Sequence, residues 1–127
     1  MSHKILTVDD SKMVRMIVTK AFAPYGLEIH EASNGTEALI KAIELQPDLI
    51  FLDITMPDMN GLAVLEQMRV VETLKNTPVV MLTAESGNNS IARADELKVI
   101  GYVPKPFKAE KLLAIAAEIL PLAPLAA

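Results

Sequence analysis

Apolar residues along this chain fall into two alternating patterns. Short, β-branched runs occupy Ile5 to Val8, Leu49 to Leu52 and Val79 to Leu82, with weaker strand-like runs at Leu27 to Ala32 and Gly101 to Pro104. The first three are apolar at nearly every position, as expected of strands buried on both faces of a parallel sheet. Helical spacing lies between them. Val14, Ile17, Val18, Ala21 and Phe22 share one face of a first helix, and Pro24 lies just past its end. A second helix opens at Asn34 with Glu37 three residues on, a capping-box-like start, and is expected to bury Leu39, Ala42 and Ile43. A third follows Gly61 and carries Leu65, Met68 and Val71. A fourth, from about Ser90 to Val99, follows Asn88-Asn89 and has a thin stripe of Ile91, Ala94 and Leu97. A fifth, Lys108 to Leu120, presents Leu112, Ile115, Ala116 and Ile119 before Pro121. Strict βα alternation predicts an α/β doubly wound sandwich, and right-handed crossovers leave few topologies, of which the strand order 2-1-3-4-5 is expected.

The chain is 127 residues long, which suits one domain over residues 1–120 and a short Pro/Ala/Leu-rich tail over 121–127. Apolar residues make up 51% and charged residues 22%, enough core for this size and too little charge for disorder. A net charge of -4 and a pI near 5.1 argue against nucleic acid as a partner, since that footprint needs a basic stripe. No cysteine is present, so disulfides, thiolate metal sites and cysteine nucleophiles are excluded. The first apolar run ends at Asp9-Asp10, too early for a signal peptide. Nor does any apolar stretch approach the roughly 20 residues of a membrane helix. A cytoplasmic protein without a membrane partner is expected.

In such sheets ligands bind at the carboxyl ends of the strands, near the point where strand order reverses. The residues just past those ends carry chemistry. Asp9 and Asp10 follow strand one, Asp53 ends strand three, Thr83 ends strand four and Lys105 follows strand five. Three carboxylates so close repel unless a cation neutralises them. A hard divalent ion with oxygen ligands answers that need, and Mg²⁺ also suits phosphate oxygens. Lys105 supplies a point charge for a phosphoryl oxygen, Thr83 offers a hydroxyl, and a carboxylate can act as nucleophile toward phosphorus.

The segments Val8-Asp9-Asp10-Ser11, Asp53 to Gly61 (DITMPDMNG), Thr83-Ala84-Glu85, Gly101-Tyr102-Val103 and Lys105-Pro106-Phe107 carry a resemblance. From about Lys4 to Leu120 the chain resembles the receiver domain of two-component response regulators, in particular the stand-alone chemotaxis receivers of the CheY type. The resemblance implies a flavodoxin-like (βα)5 sandwich, and the 2-1-3-4-5 order comes with it. It implies that Asp53 takes a phosphoryl group from a histidine kinase. Asp10 and Asp53 would bind Mg²⁺ directly, Thr55 through its backbone carbonyl and Asp9 through water. Lys105 would pair with the phosphoryl group, Thr83 would move toward it, and Tyr102 would swing inward. Thr55 and Glu85 would tune dephosphorylation, and the Lys105-Pro106 bond would be cis. The output would be a protein target docking on helix 4, strand 5 and helix 5.

Two positions depart from the pattern. Lys98 stands where many receivers have a glycine at the end of helix four, which costs strain if its φ is positive. Thr55 replaces the polar amide of some chemotaxis receivers, so the phosphoryl lifetime does not carry over.

Plainer readings exist residue by residue. Asp10 or Ser11 could simply cap helix one. Thr83 could be an ordinary strand-end threonine, Lys105 a solvated loop residue and Tyr102 a half-buried strand tyrosine. Met56-Pro57 and Gly61 read as turn chemistry. His3 and His30 lack partners at ligand spacing, and the seven methionines read as core filler. Leu113, Ala117 and Leu120 form a second apolar stripe on helix five, read as part of a partner face.

Other functions use the same residues. A phosphorelay intermediate would pass its phosphoryl group to another histidine. A Mg²⁺-dependent phosphohydrolase with an aspartyl-phosphate intermediate would want a second acid where Thr55 stands. A flavin-binding flavodoxin would want Ser, Thr and Gly where two aspartates repel phosphate. A transcription factor is disfavoured, because no output domain follows Leu120. The sequence therefore predicts a phosphoacceptor switch that is not a turnover enzyme, acting in two-component or chemotaxis signalling.

Overall fold

Among the described residues, strands and α-helices alternate. The computed structural model describes residues 3–54, 56, 60–83, 88–105 and 107–120. The elements are β1 (Lys4–Val8), α1 (Lys12–Phe22), β2 (Glu28–Ala32), α2 (Gly35–Leu45), β3 (Leu49–Asp53), α3 (Gly61–Arg69), β4 (Val79–Thr83), α4 (Asn88–Glu96), β5 (Gly101–Pro104) and α5 (Ala109–Ala117). A 3₁₀ turn over Ala23–Tyr25 takes up Pro24 as α1 ends.

All four strand pairings are parallel, in the order β2-β1-β3-β4-β5. β1, β3 and β4 are central, and their apolar runs alternate between two cores. Leu6, Val8, Ile50, Leu52, Val79 and Met81 face one core with α2, α3 and α4. Ile5, Leu49, Phe51, Val80, Leu82 and Val103 face the other with α1 and α5. There Phe22 of α1 tilts against Phe51, with ring centroids 5.7 Å apart. Each fully buried Leu, Ile or Phe contributes about 1.5–3 kcal/mol from burial alone, so these strands anchor the domain.

The helix starts follow local chemistry. Ser11 caps α1, its hydroxyl accepting from the Val14 N–H. Asn34 caps α2 by accepting from the Glu37 N–H at 2.8 Å. The Glu37 carboxylate returns to the Ser33 N–H, one residue before the cap, and so satisfies a donor outside the helix. That N–H holds the Glu37 carboxyl below its usual value, aided by Lys41 and opposed by partial burial. Asn60 caps α3 by accepting from the Leu62 N–H.

Several boundaries and faces differ from expectation. α4 starts at Asn88, two residues early, and ends at Glu96, so Leu97 and Val99 pack from the following turn. α5 ends at Ala117, with Ile119 and Leu120 in a turn that still packs on the core. On α2, Ala38 and Ala42 are buried while Ile43 is 49% exposed, because the small residues meet the core. Met13 and Met16 on α1 are exposed as well and are not core filler. The second stripe of α5 is also corrected: Leu120 is buried and Leu113 packs into the α1/α5 core, leaving only Ala117 of the three exposed.

Candidate functional site

Strand ends bring the predicted residues to one edge of the sheet. β1 pairing runs on one residue, with the Asp9 N–H donating to the Ala32 carbonyl at 3.1 Å. Asp9 is fully buried, and its Oδ1 accepts from the Ser11 N–H at 2.8 Å. Arg15 on α1 donates to the Asp9 carbonyl and pairs with Glu31 of β2 at 2.9 Å. Asp10 is exposed beside it.

Asp53 is the last residue of β3 and is 3% exposed. Just beyond it the Ile54 N–H donates to the Leu82 carbonyl of β4, and the Ile54 carbonyl accepts from the Gly61 N–H at 2.7 Å. α3 thereby returns directly over the end of β3. A methyl group on Gly61 would sit 2.1 Å from the Asp53 carbonyl oxygen and 2.8 Å from Ile54 Cα. Only a residue without Cβ permits this return, so Gly61 sets where Asp53 sits, a role that its turn-like reading missed.

Lys105 completes the cluster. Its N–H donates to the Thr83 carbonyl at 2.7 Å, tying the end of β5 to buried Thr83 on β4. Its ammonium lies 2.8 Å from Asp9 Oδ2 and 3.1 Å from Asp53 Oδ1. Burial alone would make this ammonium easier to deprotonate. Hydrogen bonds and charge from Asp9 and Asp53 outweigh burial and hold it above the usual lysine range.

Asp9, Asp10 and Asp53 each offer a carboxylate oxygen, and these oxygens lie within 4.8 Å of one another. An all-oxygen, anionic donor set from three carboxylates fits a hard divalent cation such as Mg²⁺. Among the described residues the Lys105 ammonium is the one cation beside these three carboxylates, Asp9 being fully buried, so charge remains to be balanced and the same ion fits. Tyr102 stands on β5 opposite Met81 of β4, and its hydroxyl donates to Asp95 Oδ1 on α4. Burial, with Asp95 second, pushes its phenol up to about 12. Thr55, Glu85 and the Lys105-Pro106 bond lie outside the described residues. Among the described residues His30 Nε2 has Glu28 near it, at 3.6 Å, and it remains apart from the site.

Sequence reasoning also missed Arg15, Arg69 and Asp95. Arg69 at the end of α3 donates to the carbonyls of Leu74, Thr77 and Leu97 at 2.8–3.1 Å. A half-buried arginine on an otherwise ordinary helix face carries no distinguishing local spacing. For Arg15, its position one turn after the Ser11 cap was the available signal.

Over residues 5–117 the chain matches the family model described as the response regulator receiver domain, and it belongs to that family. It is 32% identical to sporulation initiation phosphotransferase F of Bacillus subtilis over 122 residues, covering 96% of this chain and 97% of that protein. It is 39% identical to regulatory protein AtoC of Escherichia coli over 110 residues, covering 87% of this chain but only 23% of that protein. In structure it matches the chemotaxis protein CheY4 of Vibrio cholerae with a TM-score of 0.88 and 33% identity, covering 94% of this chain and 100% of that one. The fold is therefore CheY-like and flavodoxin-like. Receivers of this family work in two-component signalling with histidine kinases and downstream targets, mostly as switches, and typically bind Mg²⁺ at an acidic pocket. No helix among the described residues is long and apolar enough to cross a membrane.

Proposed function

We propose that this protein is a phosphorylation switch in which Asp53 accepts a phosphoryl group from a histidine kinase. The observation that carries the reading is the Lys105 ammonium between Asp9 and Asp53, with Asp10 alongside, at the carboxyl ends of the central strands. In the transfer an Asp53 carboxylate oxygen attacks the phosphorus of phosphohistidine. The new O–P bond forms as the P–N bond breaks, and the imidazole nitrogen takes the bonding pair and a solvent proton. Phosphoryl transfer needs chiefly positioning and charge neutralisation. Lys105 neutralises a phosphoryl oxygen and Thr83 offers it a hydroxyl. Asp9, Asp10 and Asp53, with the Thr55 carbonyl, would hold Mg²⁺, which supplies further charge neutralisation when bound. Tyr102, Thr55 and Glu85 would tune switching and dephosphorylation.

The switched output would be a protein target on α4, β5 and α5, in a cytoplasmic chemotaxis-like or related pathway, without nucleic acid or membrane. A relay role is the second reading, favoured by the near full-length likeness to a sporulation phosphotransferase. Lasting retention of the phosphoryl group marks a switch, and rapid loss to a histidine-containing partner marks a relay. A turnover phosphohydrolase is less well supported, because Thr55 occupies the position for a second acid.

The direct test is intact-mass analysis after incubation with acetyl phosphate, with and without Mg²⁺, on wild type and Asp53→Asn. The expected result is one Mg²⁺-dependent phosphoryl adduct on wild type and none on the variant. Absence of any adduct on wild type would overturn the assignment of Asp53.

A further inference from the structure

The ends of β4 and β5 are joined at the pocket through Lys105 and Thr83. Tyr102 stands three residues before Lys105 on β5, so a shift at the pocket end of that strand displaces it. Its ring packs on the core beneath α4, while its hydroxyl reaches out to Asp95 on that helix. The helix carrying the acceptor is itself held. Arg93 pairs with Glu66 of α3. Arg69 donates to the Leu97 carbonyl at 2.8 Å, just past the end of α4. The acceptor therefore resists following Tyr102 when β5 moves.

We propose that Asp95 is a positioning residue that latches Tyr102 to α4 and so biases the domain toward its unphosphorylated arrangement. This inference rests on the reading of Asp53 as phosphoacceptor. A contact shifts a two-state equilibrium only by the difference in its strength between the states. The phenol–carboxylate bond is charge-assisted but open to water on the Asp95 side, so its bias is modest. Removing the carboxylate lowers the cost of leaving the unphosphorylated state.

The test uses beryllium fluoride with Mg²⁺ as a phosphoryl analogue on the full chain. Binding is followed by ¹⁹F resonances of bound fluoride and of 3-fluorotyrosine at Tyr25 and Tyr102. Asp95→Ala is expected to tighten apparent affinity about three- to tenfold, and Asp95→Asn, which keeps an acceptor oxygen, by less. In a Tyr102→Phe background, Asp95→Ala is expected to leave affinity unchanged within about twofold, because the hydroxyl is gone. Unchanged affinity on removing Asp95 from the tyrosine protein overturns the latch and leaves the phosphoacceptor reading intact. An equal gain in the phenylalanine background also overturns it and assigns the effect to helix charge. Failure of wild type to bind the analogue overturns the phosphoacceptor reading, and the latch with it.

Discussion

The ammonium of Lys105 bridges two buried carboxylates from different strands, Asp9 Oδ2 at 2.8 Å and Asp53 Oδ1 at 3.1 Å. Two such carboxylates are tolerated at one sheet edge because a cation lies between them. Replacing it with Lys105→Met leaves the carboxylates to repel each other and Asp10. The expected cost is about 1–3 kcal/mol in urea unfolding without divalent ions, less than for a fully buried pair because the lysine is partly open to water. Added Mg²⁺ should stabilise the variant by more than it stabilises wild type, since the metal then supplies the missing positive charge. An equal Mg²⁺ increment in both proteins would count against the shared role of metal and lysine.

Gly61 predicts a second effect at the same carboxylate. An alanine methyl there would meet backbone atoms at 2.1 and 2.8 Å, which no side-chain rotation relieves. Gly61→Ala should cost about 1–3 kcal/mol, as overpacking does, and should slow phosphoryl acceptance at Asp53. Chemical denaturation and the rate of acetyl-phosphate labelling check the two halves separately. A variant as stable as wild type would show that α3 is free to shift.

Lys98 holds a φ of 62°, in the left-handed region, just after α4. A side chain with Cβ is strained there, and glycine is not. Lys98→Gly should raise stability by about 0.5–1 kcal/mol, despite the greater freedom it adds to the unfolded chain. The same substitution at Lys111, inside α5, should instead lower stability, because glycine is a poor helix residue. Thermal melts of the two variants make the comparison.

Tyr102 gives a pH prediction. Its phenol titrates at about 12, against an ordinary value of 10.0, through burial and the Asp95 contact. The folded state binds this proton more tightly than the unfolded state. The resulting stability is therefore present below pH 10 and is lost as pH rises toward 12. Ultraviolet titration of the chain's two tyrosines should show one late step that disappears in Tyr102→Phe. A wild-type titration without a late step would contradict the Tyr102–Asp95 contact.

The five strands and the approximate helices were legible from sequence because their signals are local. Buried parallel strands read as continuous apolar runs, Ser11 and Asn34 mark helix starts through bonds to their own neighbours, and Pro24 marks an end because it has no N–H to continue the helix. The order of Asp9, Asp10, Asp53, Thr83 and Lys105 was legible too, since each falls just at or past a strand end. Packing decided the rest. Ile43 faces outward because Ala38 and Ala42 meet the core, a choice that periodicity leaves open by one position. Met13 and Met16 are exposed because the face used by Val18, Ala21 and Phe22 turns them away from the sheet. Gly61 looked like turn chemistry because its close neighbour, the Asp53 carbonyl, is set only when α3 folds back over β3. The Lys105 bridge and the Tyr102–Asp95 contact join residues from separate elements. Sequence therefore determined which groups reach the sheet edge, while crossover geometry and packing decided how far apart they stand and which ones touch.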